Sequence, residues 1–337
     1  MVRFVQNDEK KNMKIFITGG AGYVGSSLVP KLVNLGHDVT IFDLMIYGED
    51  VFDKNLKVKK VKGDIRDIDL LSKNISGHDV VIHLACISND PSFELNPSLG
   101  KSINFDAFEP LVKVSRDNKV NRFIYASSSS VYGVKKEKNV TEEMKLEPLT
   151  DYSKYKGECE KILKSYSSND FITTTIRPST VCGYAKRQRL DLVVNILTNH
   201  AFHKREIKVF GGSQLRPNIH LDDMVNSYIT LLNADIKKIN GEAFNVGFKN
   251  QSVNELANDV KEIIGEDIKI ITCPSDDNRS YHVSSKKIQD VLGFKPLKTV
   301  KDAVIDLRNA FQSGLLPNSF KDEKYFNIKR MQSIHLK

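Results

Sequence analysis

Short apolar runs of strand length alternate along the chain with stretches whose apolar residues recur at helical spacing. Ile15-Phe16-Ile17 is long enough for a buried strand and breaks at once into Gly19-Gly20-Ala21-Gly22-Tyr23-Val24-Gly25. Leu28, Val29, Leu32, Val33 and Leu35 follow at helical spacing, and Gly36 supplies the stop. Val39-Thr40-Ile41-Phe42 is a second buried strand, ending in Asp43. The unit is strand, turn, helix, strand.

The alternation continues. Residues 56–62 predict a third strand running into Gly63-Asp64-Ile65, with a helix after it marked by Ile68, Leu70 and Leu71. Residues 79–85 predict a fourth strand, 103–115 a helix with Asn104 near its start, and 122–126 a fifth strand. That strand enters the run Ser127-Ser128-Ser129-Ser130-Val131-Tyr132-Gly133, and Thr150 or Asp151 can cap the helix that follows. A sixth strand at 171–177 is rich in threonine and ends at Pro178. Beyond it the pattern predicts a helix at 190–202, a strand at 207–210, and a segment at 218–223 that returns to the sheet and caps a helix. A last sheet strand at 243–247, a helix at 252–264, a strand at 268–271 and a helix at 300–311 follow.

Strands alternating with helices predict an α/β fold, a doubly wound parallel (Rossmann) sheet with a smaller, discontinuous α/β lobe. The expected division is a loose tail over 1–12, a dinucleotide-binding domain over 13–181 with 217–247, and a substrate lobe over 182–216 with 248–316. Residues 317–337 are expected to be a lysine-rich tail without an assigned role.

The glycine run gains meaning from its place. It lies between a strand and a helix, with an acidic residue about 20 positions further on. Glycines allow a tight turn and a close approach of backbone to a pyrophosphate, whose charge the helix N-terminus accepts. Asp43 would take the ribose hydroxyls and repel a 2′-phosphate, which favours NAD over NADP. The expected cofactor contacts of this unit are Gly19, Gly22, Tyr23, Val24, Gly25 and Asp43, with Asp64 and Ile65 at the next strand end. Asp64 fits two roles equally, a hydrogen bond to the adenine amine or a cap on the helix after it. His83 at the end of an apolar strand is expected to be a packed, satisfied histidine.

Tyr152 and Lys156 are four residues apart, on one face of their helix. An ammonium beside a phenol favours the phenolate, lowering a pKa of about 10 and making Tyr152 a candidate base. Tyr155 is the rival, but four residues beyond it stands Cys159, which offers no positive charge.

Composition narrows the classes. Of 337 residues, 40% are apolar and 27% charged. No stretch approaches the roughly 18 to 20 apolar residues of a membrane span, and the first twelve residues are too polar for a signal peptide, so a cytoplasmic location is expected. Cys86, Cys159, Cys182 and Cys273 have no metal-ligand spacing and suit a reducing compartment. The formal charge of +8 comes from lysines spread along the chain, which points to a solvated basic surface rather than a nucleic-acid site.

Together, the Gly19/Gly22/Gly25 turn, Asp43, the serine-rich strand end with Val131-Tyr132-Gly133, and Tyr152 followed by Lys156 resemble the extended short-chain dehydrogenase/reductase family. More narrowly, the chain is similar to its nucleotide-sugar epimerases and dehydratases. The resemblance implies an NAD enzyme acting on a nucleotide-diphosphate sugar. It assigns Ser128 to the sugar hydroxyl, Tyr152 to proton removal, and Lys156 to the nicotinamide ribose, with Leu84, Ala85, Pro178 and Tyr152 also against the cofactor. Ser129, Thr180, Asn195, Arg216 and Arg279 would serve the substrate, the two arginines gripping its diphosphate. Thr180 stands where many relatives carry Asn, and Cys182 where a Tyr is common. Dehydratases place an Asp-Glu pair directly after the catalytic hydroxyl residue, where this chain has Ser129 and Ser130, so the expected chemistry is C4 epimerisation through a 4-keto sugar, or its oxidative half. Similar enzymes pair through two helices per subunit, which implies a homodimer. The alternatives are a 4-dehydrogenase, a 4,6-dehydratase and a catalytically silent nucleotide-binding scaffold.

Overall fold

The computed structural model describes residues 12–275 and 280–337. Its first strand, β1 (Lys14–Thr18), buries Ile15, Phe16 and Ile17 completely. Successive side chains of a strand point to opposite faces, so a run of this kind has a core on each side. Phe16 enters one core with Phe108 and Phe123, while Ile15 and Ile17 enter the other with Leu28 and Val29.

The remaining strands are β2 (Asp38–Asp43), β3 (Lys59–Lys62), β4 (Val80–His83), β5 (Arg122–Ala126), β6 (Ile172–Pro178), β7 (Thr180–Cys182) and β8 (Glu206–Phe210). They are followed by β9 (Leu215–His220), β10 (Glu242–Val246), β11 (Lys249–Ser252) and β12 (Lys269–Cys273). Seven of them form one parallel sheet in the order β10-β6-β5-β4-β1-β2-β3. The chain runs outward from β1 to β3, then returns to lay β4 against the other edge of β1. The crevice at the carboxyl ends of β1 and β4 is therefore the topological switch point, where open α/β sheets bind ligands. Helices Gly25–Asn34 and Leu221–Asn233 cover one face, and Ile68–Ile75, Phe108–Asp117 and Asp151–Ser165 the other. This is the doubly wound architecture that the pattern predicts.

A further apolar cluster forms a smaller body: Val194 and Leu197 pack with Ile207 and Val209, Leu256 and Val260, and Val304. There β8 and β12 pair in parallel. Three local expectations are corrected. Segment 217–247 does not all return to the main sheet: β9 pairs with β7 and β11 in a separate three-stranded sheet, and only β10 joins the large one. The cap of the helix Ile68–Ile75 is Asp67, whose carboxylate accepts the Leu70 amide at 2.9 Å, rather than Asp64. Residues beyond 316, expected as a tail without a role, pack against the rest of the chain. Tyr325 packs with Leu190 and Phe311, and the helix Asn327–Ser333 lays Met331 into the core beneath β1 and β4.

Candidate active site

A cavity of about 520 Å³ opens over the switch point. Its floor is the glycine turn. Gly19 sits at φ +73°, and a Cβ there would come 2.5 Å from the Ala85 amide nitrogen, so the turn and the loop after β4 abut as only glycine allows. Gly25 packs equally close to the Gly20 carbonyl. The helix behind it, Gly25–Asn34, has no side-chain cap and no acidic residue in its first turn, which leaves its positive end toward the cavity.

Asp43 closes one side. One carboxylate oxygen accepts the Ala21 amide at 3.0 Å and the other the Met45 amide at 2.8 Å, so the group is held rigidly at the end of β2. Burial raises its pKa against the pull of these two amides. Asp64 and Ile65, Leu84 and Ala85, and Pro178 line the same cavity. Asp64 is gripped by Arg66 and held below its usual pKa, where burial is outweighed by those hydrogen bonds. The glycine cradle and Asp43 fit a dinucleotide, with Gly19, Gly22 and Gly25 on the floor where a diphosphate must approach.

On the opposite side Ser128 follows β5. It caps the turn Ser129–Tyr132, accepting the Ser130 amide at 3.1 Å, and its hydroxyl lies 2.8 Å from that of Ser130. Ser153 donates to Ser130 at 2.7 Å, and Thr150 caps the helix Asp151–Ser165 while bonding Asp90 at 2.5 Å. The serine run is thus stitched to the helix that carries Tyr152 and Lys156. Lys156 is buried, and its ammonium donates to the Ala126 carbonyl at 2.7 Å. Tyr152 lines the cavity, whereas Tyr155 packs its ring against Phe93 and Phe105 and does not.

The expected lowering of the Tyr152 pKa is corrected. Burial is the dominant influence and raises it, with Cys86 and Asp90 adding to the rise, while the Asn89 amide and Arg189 oppose it. The Lys156 ammonium stands 5.9 Å from the ring centroid, with one of its hydrogens committed to Ala126. His83 is the satisfied core residue that the pattern predicts: it bonds Thr18 at 2.6 Å, stacks on Tyr125, and burial pulls its pKa down to about 3.

Ser129, Thr180 and Arg216 also line the cavity, but Asn195 does not. Its amide is spent inside the lobe, accepting from the Gly183 N–H at 3.1 Å and donating to the Tyr23 hydroxyl and the Arg189 carbonyl. The Tyr23 phenol in turn donates to the Gly183 carbonyl at 2.6 Å, so this side chain ties the glycine turn to the lobe. Cys182 is buried with its thiol toward the Ile219 carbonyl and does not reach the cavity. Arg279 falls outside the described residues. The cavity also includes residues that the sequence pattern did not single out for the site: Tyr47, Ser88, Arg187, Arg189 and Asn327. The basic character of 186–189 was the only signal for any of them.

A glycine-turn pocket at the switch point of a doubly wound sheet, with a Tyr-Lys helix facing a serine at the next strand end, defines a dinucleotide-dependent oxidoreductase fold of the extended short-chain dehydrogenase/reductase type. Residues 15–247 match the NAD dependent epimerase/dehydratase family, and the chain belongs to it. It is 29% identical to a UDP-glucose 4-epimerase of Lactobacillus helveticus over 87% of this chain and 95% of that one. Among solved structures, the UDP-glucose 4-epimerase of Thermotoga maritima with UDP-glucose superposes with a TM-score of 0.82 at 25% identity, over 90% of this chain and all of that one. MoeE5 in complex with UDP-glucuronic acid and NAD gives 0.78 at 25% identity, over 89% of this chain and 99% of that one. The cofactor is NAD.

Proposed function

We propose that this enzyme is a nucleotide-sugar 4-epimerase in which Tyr152 takes the proton of the sugar 4-hydroxyl. Ser128, at the end of β5, holds that hydroxyl and directs its hydrogen toward the Tyr152 oxygen. Lys156 is buried behind Tyr152 and anchored to Ala126, placed to bind a ribose and to hold Tyr152 as the phenolate that accepts the proton. Bound NAD would supply the redox chemistry, taking the hydride from C4 and returning it to the opposite face of that carbon. Tyr152 then gives its proton back to the 4-keto oxygen, which restores the hydroxyl. Arg216 and Thr180 would hold the nucleotide diphosphate and the sugar at the lobe side. A homodimer through the helices Phe108–Asp117 and Asp151–Ser165 belongs to the same reading, and a monomeric mass by light scattering at micromolar concentration would remove it.

The observation that carries epimerisation over dehydration is the pair Ser129 and Ser130. Elimination needs an acid and a base beside the sugar, and a serine hydroxyl is neither unaided. The carboxylates lining the cavity among the described residues are all engaged: Asp43 with two amides, Asp64 with Arg66, Asp90 with Thr150, and Asp191 with Arg189. The test is turnover of UDP-glucose deuterated at C4. Product that keeps deuterium at C4 and its 6-hydroxyl supports the reading; a 4-keto-6-deoxy sugar overturns it. Tyr152→Phe should lower turnover about a hundredfold to ten-thousandfold with NAD affinity intact. A fully active variant would assign the base elsewhere.

A further inference from the structure

We infer that Arg187 and Arg189 form a second, cationic wall of the cofactor pocket that closes on the diphosphate of the bound dinucleotide. The inference rests on the family's use of NAD and adds to it two residues outside the glycine turn.

Both side chains line the cavity while only 4% and 7% exposed. Arg189 donates from Nε to Asp191 at 2.9 Å and from Nη1 to the Ser88 hydroxyl at 3.0 Å. Arg187 lies over the Tyr47 ring, 3.5 Å from its centroid, and donates from Nη2 to Asn327 Oδ1 at 2.7 Å. Nε of Arg187 and Nη2 of Arg189 have no partner among the described residues. A buried guanidinium N–H without an acceptor is costly, and a folded protein keeps one where a ligand supplies the acceptor. Charge points the same way. Among the described residues Asp191 is the one carboxylate hydrogen-bonded to the pair, so there two cations face one anion. Burial, with Arg189 adding to it, pushes the Arg187 pKa down against Tyr47 and Asp191, while, against burial, Asp191 holds that of Arg189 up.

Position selects the anion. The Arg187 amide points to the Ser26 hydroxyl at 3.4 Å, in the first turn of the helix behind the glycines. Ser88, which accepts from Arg189, lies three residues past Ala85, the residue that abuts Gly19. The Arg187 backbone and the Arg189 guanidinium are therefore tied to the elements that flank the switch point, where a dinucleotide's diphosphate crosses the sheet. Arg216, by contrast, lies near Tyr281 on the lobe side. Asn327 locks the pair. Beyond accepting from Arg187, it donates from Nδ2 to the Ser88 hydroxyl at 3.0 Å and from its backbone to Asp191 at 3.0 Å. A guanidinium fork held in this way suits a diphosphate.

The experiment is calorimetry on the full chain stripped of nucleotide, with NAD, NADP, ADP-ribose, adenosine and UDP as titrants. Arg187→Gln and Arg189→Gln should each lower NAD and ADP-ribose affinity about tenfold to a hundredfold, the worth of a charge-assisted hydrogen bond, with adenosine and UDP unchanged. A selective loss of UDP would assign the pair to the substrate instead, a selective loss of NADP would assign it to a 2′-phosphate, and no loss would leave it structural; each overturns the inference. If the glutamine variants do not fold, Asn327→Leu, which removes no charge, carries the test with an expected loss of about threefold to tenfold in NAD affinity. Wild-type protein that fails to bind NAD would refute the family reading before any variant is made.

Discussion

Arg177 and the pair Arg187/Arg189 are all buried guanidiniums, yet they stand in opposite situations. Arg177 clasps Glu160 through Nε and Nη2, the latter at 2.6 Å, and gives Nη1 to the Tyr132 hydroxyl at 2.6 Å. Glu160 also accepts from Ser127 at 2.5 Å. That network joins β6, the helix of Tyr152 and the serine segment, and its charges cancel. Arg187 and Arg189 each keep an N–H without an acceptor among the described residues, and together they exceed the charge of Asp191. A buried charge completed from within holds a fold together; one left incomplete beside a cavity is built for a ligand.

The comparison breaks first at Glu160. Glu160→Leu would strand the Arg177 charge and should cost about 3–5 kcal/mol by urea unfolding, since removing one partner of a buried pair is strongly destabilising. If Arg187→Gln destabilised the cofactor-free protein as much, the contrast would collapse; its expected effect there is small, because it removes a charge that is already short of partners. Thr150→Ala should cost about 0.5–2 kcal/mol by the same measurement, as loss of a helix cap does. It would also cut the link from Asp90 to Ser153 and lower turnover modestly.

Asp43→Asn should weaken NAD binding about tenfold and narrow the preference over NADP, because an amide group cannot accept from both Ala21 and Met45. Calorimetry with both cofactors reads it, and an unchanged preference would remove Asp43 from the 2′ position. The smallest effect concerns acidity. Burial alone would raise the Asp191 pKa, but Arg189 and the Asn327 amide hold it below the ordinary value. A carboxylate depressed in the folded state contributes stability above its unfolded pKa of about 4 and loses it as pH falls through the folded value. Cofactor-free protein should therefore lose stability below that pH, and Asp191→Asn should flatten this part of the profile. An unaltered profile would show that Asp191 does not balance the arginines.

Much of this architecture was legible in the chain. Continuous apolar runs at 15–17, 39–42 and 80–82 required sheets buried on both faces, and the glycine turn, Asp43, the serine run and Tyr152 with Lys156 mark the cavity in order along the chain. These signals are local: a φ that only glycine tolerates, a capping threonine, a four-residue spacing. Asn195 misled because a polar residue on a lobe helix carries no mark of whether it faces ligand or backbone, and in the fold its amide is consumed by Gly183, Tyr23 and Arg189. The Tyr152 pKa was misjudged because helical spacing reports proximity to Lys156 but not desolvation.

What the sequence determined by itself was the order of strands and helices, the glycine turn and the helix face of Tyr152 and Lys156, since each depends on residues within a few positions of one another. Only the tertiary structure decided that β9 leaves the main sheet, and that Asn327 meets Arg187 across 140 positions and Ser88 across 239. The reason is physical. Such contacts pair single polar atoms from distant segments, they leave no periodic trace in either segment, and they exist only once the apolar cores have brought the segments together.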